Sequence, residues 1–361
     1  MFRKIQDAVQ LLNHDYIQDF SVGAETRTQD IQKISRFLEE TCRTDGTVFV
    51  HGRGKRKSRN QRYEELFRRF LERQTVYDWH TASFQGRNNY CKTDPDATFM
   101  HRKDGHMRNA QLKPGYNVQI GVDSEYIVAV DIFQDRNDVW TLVPFLKTME
   151  EKLGFRYPSV TADSGYESEE GYTHLRECGQ AAYIKPQTYE KWKKRRFRQD
   201  ISKRENMKYD ETADTYTCHA GKSLWPHYIK KQKSKSGYES EVTVYECEGC
   251  RGCAYKEKCT KAKGNKKLYV SKSFLEKRQE SYENILSETG VRNRMNRSIQ
   301  AEGAFGVLKN DYGFQRFLLR GKTKVKLEIL LLCMGYNINK LHSKIQKDRT
   351  GSYFFPVKGT A

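Results

Sequence analysis

The chain has 361 residues, enough for one large domain or two smaller ones with a sizeable buried core. Charged residues make up 31% of it and aromatic residues 12%, so the composition indicates a folded protein with a solvated surface and excludes wholesale disorder. The net charge of +19 favours a polyanionic partner, of which nucleic acid is the first candidate. Neither a membrane span nor a signal peptide is visible, which predicts a cytoplasmic protein without a membrane partner.

Residues 1–85 are predicted to be helical. Apolar residues recur at helical spacing at Ile5, Val9 and Leu12, and the same spacing returns later in this region. The stretch 51–62, HGRGKRKSRNQR, is basic and contains glycine, so we expect a mobile loop between the helices.

Residues 86–190 alternate between strand and helix patterns. The segment 115–133 alternates and is rich in β-branched residues, with a break at Asp123–Glu125, which predicts an antiparallel hairpin. A helix ending at Gly154, a short strand ending at Asp163, a second helix and a last strand follow. This order predicts an α/β fold.

Residues 191–273 interrupt that pattern with basic runs and clustered cysteines, and we interpret them as an insertion. From 274 to 345 the chain is predicted to return to helix, and the last helix has a broad apolar face that would complete the α/β core. Residues 346–361 are polar and are predicted to form a flexible tail.

Two acidic residues stand in contexts that favour chemistry. Asp163 ends a short strand, where α/β sheets commonly bind ligands; a turn or helix-capping role is the alternative. Glu302 lies in the segment AEGAFG, whose glycines weaken a helix and leave room for a metal ion or a phosphate backbone; a solvated surface carboxylate is the alternative. Lys309 falls two turns later on nearly the same helical stripe.

Carboxylates brought together from distant positions suit phosphodiester chemistry. Such reactions can use two divalent ions, one activating the attacking oxygen and the other stabilising the leaving oxygen. Mg²⁺ or Mn²⁺ prefers carboxylate oxygen, and nearby arginine or lysine would hold the phosphate. A metal site at Asp163 and Glu302 is therefore predicted.

Four of the nine cysteines are crowded together within the insertion as Cys-x2-Cys-x2-Cys-x5-Cys. They are Cys247, Cys250, Cys253 and Cys259. Four thiolates can hold Zn²⁺ tetrahedrally and stabilise a loop with little core, so we predict a structural zinc site. Cys218 or His227 could replace one of the four ligands, and unligated thiols or an iron–sulfur cluster are the alternatives.

Three basic runs add to the positive charge, at 52–62, 191–198 and 261–267. A single run is usually a solvated surface, but three in one chain of this charge favour contact with the DNA backbone. Such contacts supply affinity and do not read sequence. The candidate DNA-contacting residues are Lys193, Arg195, Arg196, Arg294 and Arg297.

Several segments together resemble bacterial insertion-sequence transposases of the DDE type. In chain order they are TDPDATFM, LKPGYNVQIGVDSEYIVAVDI, TADSGYESEEGY, YECEGC and QAEGAFGVLKNDYGFQRFLLRG. The resemblance extends from about residue 1 to residue 345. It implies a ribonuclease H-like mixed sheet flanked by helices, metal-dependent DNA strand cleavage and strand transfer, and binding to double-stranded DNA at element ends and target.

The resemblance also implies roles for particular residues. It makes Asp163 the second catalytic acid, Glu302 the third and Lys309 a DNA-contacting partner. In the family the first acid lies on a first strand upstream of the segment TDPDATFM, and no segment of this chain fits it convincingly. We therefore expect that the reading frame starts late and that the first strand is missing.

Three further aspartates were candidates for the missing acid or its surroundings. Asp123 ends a strand and is included among the candidate catalytic residues, although the family places that position in a hairpin turn. Asp45 lies in an Asp-Gly-Thr segment whose surroundings do not match. Asp131 could neighbour the site, but a structural role is favoured.

The sequence thus predicts a DDE transposase-type protein. The alternative is a catalytically inactive, truncated DNA-binding remnant that inhibits an intact transposase, and a general ribonuclease H-like nuclease without end specificity ranks third. A homodimer, or co-assembly with a full-length transposase, is compatible with the resemblance.

Overall fold

The structure is a computed structural model that describes residues 2–23, 27–101 and 111–350. The chain divides into two compact units, Met1–Asp96 and Ala97–Ala361. Of the predicted tail, residues 351–361 lie outside the described residues. In the part of the chain that is described, no helix combines the length and the apolar character needed to cross a bilayer.

The first unit is built from helices. They are α1 (Phe2–Tyr16), α2 (Thr28–Thr44) and α3 (Arg59–Phe84). The apolar stripes of α1 and α2 pack around Phe67 and Phe70 of α3. The predicted helices are confirmed, and the basic loop is shorter than expected because Ser58 caps α3, accepting a hydrogen bond from the Gln61 N–H at 3.1 Å.

Within its described residues, the second unit contains three two-stranded pairs and one larger sheet. The antiparallel pairs are β1 (Thr98–His101) with β2 (Leu112–Gly115) and β3 (Asn117–Asp123) with β4 (Tyr126–Phe133). The parallel pair is β5 (Ser159–Ala162) with β6 (Ala181–Ile184). The larger, antiparallel sheet has the order β11-β10-β9-β8-β7 and contains β7 (Lys208–Asp210), β8 (Thr215–Thr217), β9 (Ser223–Lys233), β10 (Glu239–Cys247) and β11 (Lys267–Val270).

Helices separate and follow these strands, so the protein is of the α/β class, as predicted. They are α4 (Leu142–Leu153), α5 (Glu169–Glu177), α6 (Tyr189–Trp192), α7 (Arg195–Arg198), α8 (Lys256–Cys259), α9 (Lys272–Leu286), α10 (Glu288–Arg297), α11 (Gly303–Gly306) and α12 (Lys322–Gln346). Two π-helical segments, Ser298–Glu302 and Val307–Asp311, flank α11. The predicted hairpin and the strand that ends before Asp163 are both present.

Two apolar cores cover the strands. Ile132 of β4 packs with Val325 of α12 in one core, and both side chains are fully buried. In the other core, Phe145 of α4 and Leu175 of α5 pack with Ile184 of β6. The hairpin and the parallel pair are thus each supported by helices.

The resemblance implies one mixed sheet, whereas no ladder joins the β3–β4 hairpin to the β5–β6 pair within the described residues. Side chains join them instead. Asp138 accepts hydrogen bonds from Asn117 Nδ2 at 2.7 Å and from Gln119 Nε2 at 3.1 Å. The Tyr166 hydroxyl, which follows β5, donates to Gln119 Oε1. This polar network fixes the end of β5 relative to the hairpin.

The insertion folds into the five-stranded sheet and has its own core. Leu224 and Tyr245 are fully buried, and Leu268 and Val270 of β11 pack with them. The basic composition of this segment does not predict a sheet, so its strands are visible only in the structure.

Candidate functional site

Asp163 follows β5 and begins a 3₁₀ turn, Ser164–Tyr166. Its Oδ1 accepts a hydrogen bond from the Ser164 N–H at 2.7 Å, so the capping role considered as the alternative is present. The side chain is nevertheless 52% exposed, and its Oδ2 lies on the side of Arg297. Capping therefore engages one oxygen and leaves the other oriented toward solvent and the arginine.

Arg297, the last residue of α10, lies between the two predicted acids. Its Nη2 is 3.7 Å from Asp163 Oδ2, and its Nη1 is 3.1 Å from Glu302 Oε1. Because the guanidinium is compact and planar, two carboxylates that share it lie within about 9 Å of one another. The fold thus brings Asp163 and Glu302 to one place on the surface.

Glu302 ends the π-helical segment Ser298–Glu302, and its side chain is 62% exposed. Ser298 Oγ lies 3.5 Å from its second carboxylate oxygen. Open space surrounds the positions where Cβ atoms would stand on Gly303 and Gly306. Since π-helical turns recur at functional sites, and this surface is bare beside the acid, a bulky ligand can approach Glu302 closely.

The turn that carries Asp163 is held by residues that the sequence analysis missed. A Cβ added to Gly165 would lie 3.1 Å from Asp138 Oδ2, so the turn packs directly on that carboxylate. Burial and then the charge of Asp138 raise the pKa of Tyr166, whose hydroxyl remains protonated and donates to Gln119. The available signal in the sequence is the polar Asn137–Asp138 step just ahead of a helix.

A buried ion pair lies behind the same turn. Glu167 Oε1 is 2.8 Å from Nε of Arg278 on α9, with side-chain exposures of 3% and 10%. The second carboxylate oxygen of Glu167 accepts the Gln187 N–H at 2.7 Å. These contacts link the segment after Asp163 to α9 and to the chain that follows β6.

Among the described residues no hydrogen bond or ion pair joins Asp123 to Asp163 or Glu302, although the Glu125 N–H at the same hairpin tip donates to Gln300 Oε1 of the Ser298–Glu302 segment at 3.2 Å. Asp123 lies at the hairpin tip, where the Ser124 hydroxyl is 3.3 Å from its Oδ1. Burial and then the charge of Asp123 raise the pKa of Tyr157, which precedes β5, whereas Asp163 follows that strand. Asp123 is therefore close enough to Tyr157 to influence its charge, and the contacts seen for Asp123 itself do not include either of the other two acids.

The remaining aspartates make structural contacts. Asp131 is buried and pairs with Nζ of Lys326 on α12 at 2.7 Å, in agreement with the structural role that was favoured. Asp45 lies in the first unit and accepts a hydrogen bond from Asn60 Nδ2 at 2.7 Å.

Several predicted DNA-contacting residues lie near α10. Arg294 and Lys193 both face the Tyr189 ring, at 5.9 and 4.5 Å from its centre. The Lys309 ammonium lies 5.9 Å from the centre of the Phe305 ring. The basic run that begins before α7 is thus placed beside the helix that ends in Arg297. The other candidates, exposed on α7, are Arg195 and Arg196.

The insertion gathers its cysteines around a small cavity. Its lining includes Cys218, Cys247, Cys250, Cys253 and Cys259. The Lys266 N–H donates to the sulfur of Cys250 at 3.3 Å, and burial raises the pKa of Cys247 to about 11. His227 pairs with Glu246 at 3.2 Å and is not part of the lining. Cysteine sulfur is a ligand that zinc prefers. Among the described residues, however, no group of three or more His, Cys, Asp or Glu side chains has an arrangement that could hold a metal ion.

These features define an α/β protein whose paired carboxylates lie beside a basic helix end. Residues 217–342 match the family model described as a transposase DDE domain. The match confirms the resemblance to DDE-type transposases, covers about a third of the chain, and includes Arg297 and Glu302 but not Asp163. The family implies DNA as a partner. No curated protein and no solved structure matches the chain.

Proposed function

We propose that the chain is a DNA transposase of the DDE type in which Asp163 and Glu302 act in DNA strand cleavage and strand transfer at element ends. The observation that carries this proposal is the convergence of both acids on Arg297, at 3.7 and 3.1 Å. The match of residues 217–342 to the transposase DDE domain also supports the proposal, since that segment includes Glu302.

The two acids fit a hard divalent cation in part. Both are more than half exposed and offer carboxylate oxygen, the ligand that Mg²⁺ and Mn²⁺ prefer. Two carboxylates leave ligand positions for water and for phosphate oxygen, as is usual for Mg²⁺. When bound, such an ion would stabilise charge on the phosphodiester oxygens.

The residues around the acids would orient the DNA. Arg297 offsets the mutual repulsion of the two carboxylates, and its planar fork of donors can instead hold a phosphate oxygen pair. Arg294, Lys193 and Lys309 would contact the backbone and add affinity without sequence reading. Asp138 and Gln119 would position the turn that carries the acid after β5.

We also propose that the β3–β4 hairpin and the β5–β6 pair belong to a ribonuclease H-like core. An antiparallel hairpin followed by a helix and two parallel strands supports this assignment. Asp123 is left out of the proposed site because, among the described residues, its side chain contacts Ser124 and is joined to neither Asp163 nor Glu302.

The proposal can be tested by cleavage of a labelled duplex that carries the end of the encoding element, with Mg²⁺ or Mn²⁺. We expect Asp163→Asn and Glu302→Gln each to abolish cleavage, because one lost ligand disables a shared metal site. Asp123→Asn is the matched control, an exposed aspartate at a strand end, and should cleave at the wild-type rate. Wild-type rates in both site variants would refute the proposal.

One observation favours the alternative of an inactive remnant. Within the described residues only two acids meet at the site, and no third carboxylate joins them to form a metal-holding group. A remnant would bind element ends, fail to cleave them, and lower the activity of an intact transposase when the two are mixed. Co-assembly in that mixture, measured by light scattering, would support this alternative.

We further propose that the cysteine cavity holds a structural Zn²⁺. Five thiols line it, and a backbone N–H already donates to Cys250. Metal content of the purified chain should be near one zinc, and Cys250→Ser should lose it, whereas Cys178→Ser, outside the insertion, should keep it. A zinc-free protein with wild-type stability would overturn this assignment.

A further inference from the structure

The five-stranded sheet of the insertion carries three large aromatic side chains that remain open to solvent. Trp225 and Tyr228 of β9 and Tyr269 of β11 are 52%, 45% and 57% exposed. The same sheet buries two other aromatic side chains, Tyr216 and Tyr245, in its core. The solvent exposure of these three rings therefore needs its own explanation.

Strand register places the three rings on one face. Tyr228 and Tyr269 are the cross-strand partners of Val244 on its two sides, and Trp225 is the partner of Glu246, two residues further along β10. Residues two apart on a strand share a face, and direct partners do too. The rings therefore form one aromatic face, defined here by Trp225, Tyr228 and Tyr269.

The opposite face is the one that packs inside the protein. It contains Leu224, Tyr245, Leu268 and Val270, which belong to the buried core of the insertion. The aromatic face is therefore the outer face, and two of its rings flank Val244 of β10, which is fully buried, while each ring keeps about half of its surface exposed. Exposed aromatic groups of this kind mark interaction sites.

Lysines border the aromatic face at both ends. Lys267 is in the same cross-strand row as Trp225, and Lys230 is the partner of Val242, one row beyond Tyr228. Glu246 lies within the face, but Lys267 neutralises it at 3.0 Å. A row of rings with a lysine beyond one end and a neutral ion pair at the other suits a chain of bases joined by phosphates.

We propose that the aromatic face binds single-stranded DNA, with unpaired bases stacked on Trp225, Tyr228 and Tyr269 and a phosphate near Lys230. Base faces are covered in a duplex, and they become available to aromatic side chains only when bases are unpaired. Neighbouring strands are about 4.7 Å apart, so rings on β9 and β11, with β10 between them, are separated by about 9 Å, room for successive unstacked bases. The choice of DNA as the occupant rests on the proposed function.

The test measures fluorescence anisotropy of labelled oligo(dT) and of a blunt duplex with the full chain. Stacking on one ring is typically worth a five- to 150-fold change in affinity, so we expect Trp225→Ala, Tyr228→Ala and Tyr269→Ala each to weaken oligo(dT) binding by about that factor. Trp225→Phe should restore most of it. Phe155→Ala is the matched control, since Phe155 is 51% exposed and lies outside the sheet, and duplex binding should stay within about twofold in every variant.

Unchanged oligo(dT) affinity in all three alanine variants would overturn the inference, as would an equal loss of duplex affinity. A wild-type dimer that the same substitutions dissociate, seen by light scattering, would assign the face to a protein partner instead. If duplex binding and cleavage persist while the ring variants bind oligo(dT) normally, only this inference fails. If the chain binds neither form of DNA, the proposed function fails with it.

Discussion

Removal of the Glu167 carboxylate should be the most damaging single change near the candidate site. In Glu167→Ala, the Arg278 guanidinium stays buried, at 10% exposure, and loses the carboxylate 2.8 Å away. The Gln187 N–H also loses its acceptor. Breaking one side of a buried ion pair costs about 3–5 kcal/mol, because the remaining charge is desolvated and unpaired.

The matched control is the exposed pair of Glu288 and Arg292 on α10, 3.2 Å apart, in which the glutamate side chain is 92% exposed. Glu288→Ala should cost less than about 1 kcal/mol, since water replaces the lost partner. Urea unfolding followed by tryptophan fluorescence measures both, and the Trp192 ring, 5.3 Å from the Arg278 guanidinium, reports locally. Equal costs for the two substitutions would refute the argument that burial sets the value of this pair.

Three further outcomes are expected. Gly165→Ala should destabilise the protein by about 1–3 kcal/mol in urea unfolding and slow cleavage, because its Cβ would press on Asp138 Oδ2 from 3.1 Å. Gly303→Ala should stabilise the helix by about 0.5–1 kcal/mol, since its Cβ meets open space, yet weaken DNA binding if the backbone is approached closely there; unchanged DNA affinity would contradict that approach. Burial alone would raise the pKa of Glu125, but the hydrogen bond from Lys344 and nearby cations lower it. The stability that this group contributes is therefore complete at neutral pH and is lost as the pH falls below 4.5 through the lowered pKa, so Glu125→Gln should show a smaller loss of unfolding free energy between pH 5 and pH 3.

The parts of the fold with strong local periodicity could be predicted from the sequence. The alternation of 115–133 gives the β3–β4 hairpin, and its break falls on the turn residues Ser124 and Glu125, which both have positive φ. The strand before Asp163 could likewise be predicted from a short run of consecutive residues. Such patterns are visible because neighbouring residues alone determine which face is buried.

The insertion could not be predicted in the same way. The strand β9 has the sequence SLWPHYIKKQK, in which proline and lysines hide the strand pattern, and a register shift between Val244 and Tyr245 accommodates the irregularity opposite Pro226. The residues that pair with β9 lie on other strands. The sheet therefore depends on pairing between distant segments, which the sequence of a single strand does not reveal. The role of Asp138 was missed for the same reason, since Asn117 and Gln119 reach it across the fold.

The candidate site and the basic runs differ in charge, and they should therefore contribute differently to DNA binding. Asp163 and Glu302 with the one guanidinium of Arg297 leave a local excess of negative charge, which repels a phosphate. The chain as a whole carries +19, and its basic runs attract DNA without needing a divalent ion. DNA should therefore bind in the absence of divalent ions, whereas entry of a phosphate between the acids requires a cation that reverses the local charge. Binding without cleavage is the state that this arrangement favours whenever the metal is withheld.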